Sequence, residues 1–332
     1  MRHPQKMSDA NTASSLTGSD ALWPFTFTHA PVRGAIVRQD SVWTQISRDH
    51  ETAVAQLLGE LLAATALLAQ QLKDTDVAMQ TRGAGLVHTV MTECLGRDGL
   101  RGIARLRPCS SEHTSGEQTS TAHASREHSQ GELDAARDSL FVAEEVADIE
   151  RLLGKGDLAI TLRPPIGEAH QGIVPLQGAS VAGCIEFYFA TSEQLPTHIW
   201  LSAANGVAAG MLLQRVPGSP EGNEMSDARA EALWEEIAML ASTLTSQELR
   251  QNPVDALLLN LFNGHPVRLL PNTTLTARCT CSRSRSLGVL QLLGREEIAS
   301  VLAERGSIDM QCQFCGTGYL FYGPELLTLW DD

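Results

Sequence analysis

Arg278-Cys-Thr-Cys-Ser282 and, further along, Gln311-Cys-Gln-Phe-Cys-Gly316 place four cysteines in two close pairs, Cys279 with Cys281 and Cys312 with Cys315. A tetrahedral zinc site takes four soft ligands, and two tight pairs joined by a folded excursion supply them at low entropic cost. The second pair has the usual zinc-knuckle spacing, with Gly316 just after it, where a tight backbone turn is easiest. The first pair has one intervening residue, close enough to share a metal and to oxidise together. Between the pairs, Gly294-Arg-Glu-Glu297 opens a helix with acids in its first turn. Ile298, Val301 and Leu302 form its apolar stripe, and Gly306 sits where it ends. Residues 319–322, Tyr-Leu-Phe-Tyr, read as a short strand. Such a module is too small to fold on apolar burial alone. Metal binding supplies about 10–16 kcal/mol in comparable units, so removing the metal is expected to unfold it.

Three readings of this module stay open on spacing alone. It is a permanently closed structural zinc site, a thiol switch, or a nucleic-acid ribbon, the last prompted by Arg278, Arg283 and Arg285 beside the first pair. Those arginines more simply offset the two net negative charges of a zinc held by four thiolates. A net charge of −14 also argues against a general nucleic-acid binder, which wants a basic face.

The 332 residues allow a substantial core and more than one domain. Apolar residues at 43% and charged residues at 19% are an ordinary globular balance. No unbroken run of about 18 apolar residues occurs, so no membrane span is expected. Residues 1–21 are polar, without the apolar core of a signal peptide, and read as a disordered tail. Seven cysteines, an odd number with four in a metal pattern, point to a reducing compartment and hence the cytosol. Cys94 and Cys184 lie in apolar segments and read as inert core thiols.

Upstream of the cysteines the strongest signal is a helix from about Glu51 to Lys73. Val54, Leu57, Leu58, Leu61, Leu62, Leu68 and Leu72 fall on its period, with Thr65 the one polar interruption. It is expected to be a central buried helix. Strands are expected around Phe25–Thr28, Gly34–Arg38, Val77–Gln80, Leu86–Cys94, Leu100–Leu106, Leu158–Leu162 and Gly172–Leu176. Ser180 caps a helix through Phe189, and Asn205-Gly206 is the strongest hairpin signal in the chain. Residues 109–136 read as a polar insertion with no metal pattern among His113, His123 and His128. Residues 140–153 read as a helix ending at Gly154. The fold class is α+β, with a large N-terminal domain at 22–216, a helical linker region at 217–268 and a small zinc-binding domain at 269–332. No catalytic constellation appears: His170 and His198 have no nucleophile or acid at a recognisable spacing, so no enzyme is expected.

The linker region carries the remaining apolar signal. Leu233, Ile237, Leu240 and Leu244 form a stripe over about 227–249, with Trp234 beside it. Asn252-Pro253 opens a second helix and Gly264 closes it; Leu257, Leu258, Leu261 and Phe262 crowd its apolar face. Two such helices have too little core of their own and must lie on something else.

Several blocks together resemble the heat shock protein 33 family of redox-regulated holdase chaperones. They include Pro31-Val-Arg-Gly34, residues 58–64 (Leu-Gly-Glu-Leu-Leu-Ala-Ala), residues 100–105 (Leu-Arg-Gly-Ile-Ala-Arg) and residues 188–197 (Tyr-Phe-Ala-Thr-Ser-Glu-Gln-Leu-Pro-Thr). Residues 209–214 (Ala-Gly-Met-Leu-Leu-Gln), 279–283 and 308–315 complete the set, and Cys-x-Cys with a distant Cys-x-x-Cys is the family's zinc signature. The resemblance implies one Zn2+ held by Cys279, Cys281, Cys312 and Cys315 in the reduced state. It implies disulfides Cys279–Cys281 and Cys312–Cys315 on oxidation, with loss of the metal and release of the linker. The apolar residues Leu233, Trp234, Ile237, Leu240, Leu257, Leu258, Leu261 and Phe262 are then the expected client contacts. It further implies ATP-independent binding of unfolding proteins, a homodimer when oxidised, and ATP-driven foldases downstream. The insertion at 109–136, with Cys109 beside it, and the tail before Ala21 depart from the family pattern. The alternative is an enzyme or assembly factor carrying a constitutive structural zinc module.

Overall fold

The longest apolar periodicity in the sequence lies at the centre of the fold. The computed structural model describes residues 19–72, 74–107, 149–176, 180–218 and 225–327. The chain divides into two units, one ending at Ala277 and the other beginning at Arg278. The insertion at 109–136, Cys109, most of the N-terminal tail and most of the helix expected at 140–153 lie outside the described residues; of that helix, Ile149–Leu152 is described.

Strands β1 (Ala21–Phe27) and β2 (Val32–Gln39) are followed by helices α1 (Ser41–Ser47) and α2 (Thr52–Gln71). Next come β3 (Asp76–Gly83), β4 (Val87–Leu95), β5 (Gly99–Leu106), α3 (Ile149–Leu152), β6 (Gly156–Arg163) and β7 (His170–Pro175). Helix α4 (Val181–Tyr188) and the hairpin β8 (Thr197–Ala204) and β9 (Val207–Arg215) complete the larger body. Two sheets result. One runs β8-β9-β2-β1 and is antiparallel throughout; the other runs β5-β4-β3-β6-β7, also antiparallel.

Helix α2 packs between the two sheets. Leu57, Leu58, Leu61, Leu62 and Leu67 are fully buried against Leu22, Ala35, Val37 and Leu212 of the first sheet and Val77, Met79, Val90 and Ile160 of the second. By length and composition this helix is apolar enough to cross a membrane, yet its stripe is used up by two sheets. Thr65 is tolerated there because its hydroxyl donates to Leu61 O at 2.7 Å and meets Thr92 Oγ1 at 2.6 Å. Cys94 and Cys184 are buried in the same core. Ser180 caps α4, its Oγ accepting from Gly183 N at 3.2 Å. The β8–β9 turn uses Asn205 and Gly206 at φ +52° and +81°, the paired left-handed conformation of a tight hairpin.

Strict alternation gives the first sheet two apolar faces. Leu22, Ala35, Val37 and Leu212 point to α2; Trp23, Phe25, Phe27, Ile36, Met211 and Leu213 point the other way. Helices α5 (Asp227–Ala241), α6 (Ser246–Gln251) and α7 (Val254–Leu261) cover that second face. The stripe read as one helix over 227–249 breaks at Ser242–Thr245. There Thr245 and Glu248 form a reciprocal cap, Glu248 N donating to Thr245 Oγ1 at 3.2 Å and Thr245 N to Glu248 Oε2 at 3.0 Å. Asn252 ends α6 and Pro253 caps α7, one residue later than the sequence pattern placed them.

The chain then returns to the body. Strands β10 (Val267–Leu269) and β11 (Thr273–Thr274) pair with β1, and β12 (Thr276–Ala277) pairs parallel with β5. The expected start of the zinc-binding domain at 269 therefore falls inside this stitching, and the division lies at 277/278. The second unit comprises α8 (Arg283–Leu293), α9 (Arg295–Arg305), the hairpin β13 (Ser307–Gln311) and β14 (Gly318–Tyr322), and α10 (Gly323–Leu327). Its fully buried side chains among the described residues are Leu290, Ile298, Phe321 and Leu326. Four side chains are a thin core for such a unit.

Candidate metal centre

Two turns bring the four cysteines together. The first pair sits just before α8, where Ser282 Oγ accepts from Arg285 N and the Arg285 guanidinium donates to Thr280 O at 2.7 Å. The second pair sits in the β13–β14 turn. Cys312 N donates to Thr317 O at 2.9 Å, and Gly316 N to Cys312 O at 2.8 Å. Gly316 has φ +72°, so a side chain there would be strained.

The Sγ atoms of Cys279, Cys281, Cys312 and Cys315 all lie within 4.8 Å of one another. Cys279 and Cys312 are 3.6 Å apart and Cys281 and Cys315 3.4 Å apart. A zinc–sulfur bond of about 2.3 Å in a tetrahedron sets its sulfurs about 3.8 Å apart, so these spacings fit such a site. They are far beyond the roughly 2.05 Å of a disulfide, and none of the six described cysteines is joined in one. Both of these contacts run between the pairs, one cysteine from each turn.

The electrostatics also favour a cation. Burial, reinforced by side-chain hydrogen bonds with Cys281, Cys312 and Cys315 and opposed by one amide, pushes the Cys279 thiol up to about 12. Burial opposes ionisation of Cys315 as well, yet the hydroxyl and amide of Thr317 and the neighbouring thiols hold it down to about 6. Tyr319 Oη donates to Cys281 Sγ at 3.2 Å, and that bond raises the phenol to about 12. Ionisation is thus opposed at Cys279 and favoured at Cys315. A divalent soft ion would let all four ionise together.

Two of the three arginines read as charge compensation have structural partners of their own. Arg283 makes a two-point ion pair with Glu325 and lies 4.4 Å over the Phe321 ring, so it ties α8 to α10 and β14. Arg285 holds the first cysteine turn by its carbonyl. Helix α8 itself escaped the sequence reading, as did the hydroxyls of Thr317 and Tyr319 at the sulfurs. Alternation along β14 could have flagged Tyr319, since it shares a face with the buried Phe321.

The expected client contacts lie in the first unit, against the outer face of its first sheet. Leu233, Trp234, Ile237, Leu257, Leu258, Leu261 and Phe262 are buried there, and Leu240 is partly so. Phe262 stacks edge-on to Phe27 at 5.0 Å. Trp234 lies flat on His198 at 5.3 Å, and His198 also meets Glu186 at 3.4 Å. Polar ties add to this: Arg215 pairs with Glu231, and His265 with Glu236 at 3.2 Å. Arg38, itself buried, donates to Leu249 O at 2.9 Å and to Asn252 O.

Residues 20–322 match the family described as Hsp33 protein. A protein of Shewanella woodyi named 33 kDa chaperonin is 36% identical over 316 residues, covering 94% of this chain and 96% of the relative. One of the same name from Neisseria gonorrhoeae is 35% identical over 322 residues, covering 96% and 94%. The crystal structure of the 33 kDa chaperonin of Thermotoga maritima superposes with a TM-score of 0.69 at 19% identity, covering 94% of this chain and all of that one, a likeness of fold. With a family match across both units and relatives of this identity at nearly full length, the chain belongs to the Hsp33 family.

Proposed function

We propose that this chain is an ATP-independent holdase switched on by oxidation of Cys279, Cys281, Cys312 and Cys315. The observation that carries the reading is the tetrahedral-edge spacing of four sulfurs in a unit whose fully buried apolar side chains, among the described residues, number four. Zinc, when bound, neutralises the thiolates and contributes folding free energy of about 10–16 kcal/mol, without redox chemistry of its own. Oxidation to Cys279–Cys281 and Cys312–Cys315 disulfides removes the thiolate ligands and with them the unit's main stabilising term.

Loss of that term loosens the chain leading into the unit, and helices α5–α7 undock while β9 and β10 at their two ends stay paired in the first sheet. Those helices expose Leu233, Trp234, Ile237, Leu240, Leu257, Leu258, Leu261 and Phe262 when they leave the sheet, and uncover Trp23, Phe25 and Phe27 beneath. Unfolding proteins bind these apolar surfaces in the cytosol. The active form is a homodimer, and ATP-driven foldases take over the clients.

The test is a paired measurement on zinc-loaded, reduced protein exposed to hypochlorite, or to peroxide at raised temperature. Zinc release by a chelating dye and suppression of aggregation of a thermally unfolding client are recorded together. Both are expected to rise together and to reverse with a thiol reductant. Zinc retained, or released without suppression, would make the zinc purely structural.

A further inference from the structure

The four sulfurs are not equivalent in their hydrogen bonds. Cys315 Sγ meets the Thr317 hydroxyl at 3.2 Å and also takes the Thr317 amide. Cys281 accepts the Tyr319 hydroxyl, and Cys279 accepts the Cys281 amide. Among the described residues no side-chain hydroxyl reaches Cys312 Sγ, whose side-chain contacts are the sulfurs of Cys279, at 3.6 Å, and Cys315. In a zinc-loaded cluster all four are thiolates, so protonation no longer separates them. A thiolate has no proton to give, so the Thr317 hydroxyl must be the donor to Cys315. Each such bond draws charge from the sulfur and lowers its nucleophilicity.

We infer that Thr317 is a positioning residue that gives oxidation of the knuckle a direction: Cys312 meets the oxidant and Cys315 resolves it. This rests on the redox reading above. With a peroxide, the Cys312 thiolate takes one oxygen, the O–O bond breaks and hydroxide leaves, giving a sulfenic acid. The Cys315 thiolate then attacks that sulfur, a second hydroxide leaves, and the disulfide forms. Two electrons have passed from the two sulfurs to the peroxide. A donor on Cys315 slows it as an attacker of the oxidant without blocking the later intramolecular step, because the two sulfurs already share one turn.

The experiment uses zinc-loaded, reduced full-length protein and iodoacetamide, a small neutral probe of thiolate nucleophilicity. A brief substoichiometric pulse is followed by mass spectrometry of each cysteine. Cys312 is expected to alkylate about threefold or more faster than Cys315, the change a Brønsted slope near one half gives for about one unit of thiolate stabilisation. Thr317→Val keeps the side chain's shape and the Cys312 N–Thr317 O bond, and is expected to raise the Cys315 rate about threefold while leaving Cys312 unchanged. Thr317→Ser restores the original ranking. Cys315 reacting as fast as Cys312 in the native protein, or unmoved by Thr317→Val, overturns the assignment. If Thr317→Val does not hold zinc, the native ranking alone decides. The ranking is read on reduced protein, so it stands or falls separately from zinc release and holdase activity.

Discussion

Replacing Arg38 by methionine isolates one polar tie between the sheet and the helices that cover it. Arg38 reaches out from β2 on the same side as Ile36 and donates to the last carbonyls of α6, Leu249 O and Asn252 O. Burial lowers its guanidinium to about 10, so it remains cationic at neutral pH, where it complements the negative end of the helix. Hydrogen bonds to a charged donor contribute roughly 1.5–3 kcal/mol each. Both are lost in Arg38→Met, but the carbonyls regain some water once the segment loosens, so the net loss is about 3 kcal/mol. That corresponds to a local opening constant larger by about 150-fold. Methionine keeps an apolar stem of similar length, which limits the packing loss. Hydrogen exchange on reduced, zinc-loaded protein is the assay. Amides of residues 246–262 are expected to exchange about 100-fold faster, while the β2–β9 ladder keeps its protection. Arg38→Lys falls between, because an ammonium cannot span both carbonyls as a planar fork does. Native-like protection of 246–262, or faster exchange spread equally through the sheet, would refute the tie.

Cys312→Ser removes one of four soft ligands and is expected to cut zinc affinity by at least about tenfold, with residues 278–332 and the linker region 217–268 becoming protease-sensitive while the rest of the first unit resists; competition with a chelating dye and limited proteolysis read the two effects. Gly316→Ala forces a side chain into φ +72° and is expected to cost about 1–2 kcal/mol in the metal-binding turn, seen as faster metal loss to chelator. Glu60, half-buried on α2, has its carboxyl raised by burial to about 7 from 4.5. The folded chain therefore binds the proton more tightly than the unfolded chain, and stability is lost as pH rises from about 4.5 through 7. Urea unfolding should show a loss of at most about 3 kcal/mol across that window, absent in Glu60→Gln.

Much of the architecture was legible because it rests on repeated, local signals. The α2 stripe, the Asn205-Gly206 turn, the Ser180 cap and the cysteine spacing each carry their physics within a few residues. What escaped lacks such a signature. Strands β10 to β12 are two or three residues long and exist only because β1 and β5 offer unpaired edges. Helix α8 opens Arg-Ser-Arg-Ser, a polar run that looks like coil until Ser282 is seen capping it. The break at 242–245 was hidden because its apolar stripe continues in phase through Leu244 and Leu249 on either side of the cap. Nothing local marked the role of Arg38, since its acceptors lie more than two hundred positions away. Arg283 was given to the metal by proximity in sequence, whereas Glu325 claims it in space.

Because β9 holds one end of the 216–266 stretch and β10 the other, helices α5–α7 are a closed loop rather than a tail. Once undocked, such a loop cannot diffuse away. Its ends stay fixed on one body, and its entropy gain grows only as the logarithm of its length. The sheet face therefore sees its own cover at an effective concentration in the millimolar range, whatever the amount of protein present. On the holdase reading proposed above, any guest on that face competes with a permanently tethered rival. Its dwell time is set by how long the noose stays open, so closing it is itself a means of ejection that consumes no nucleotide.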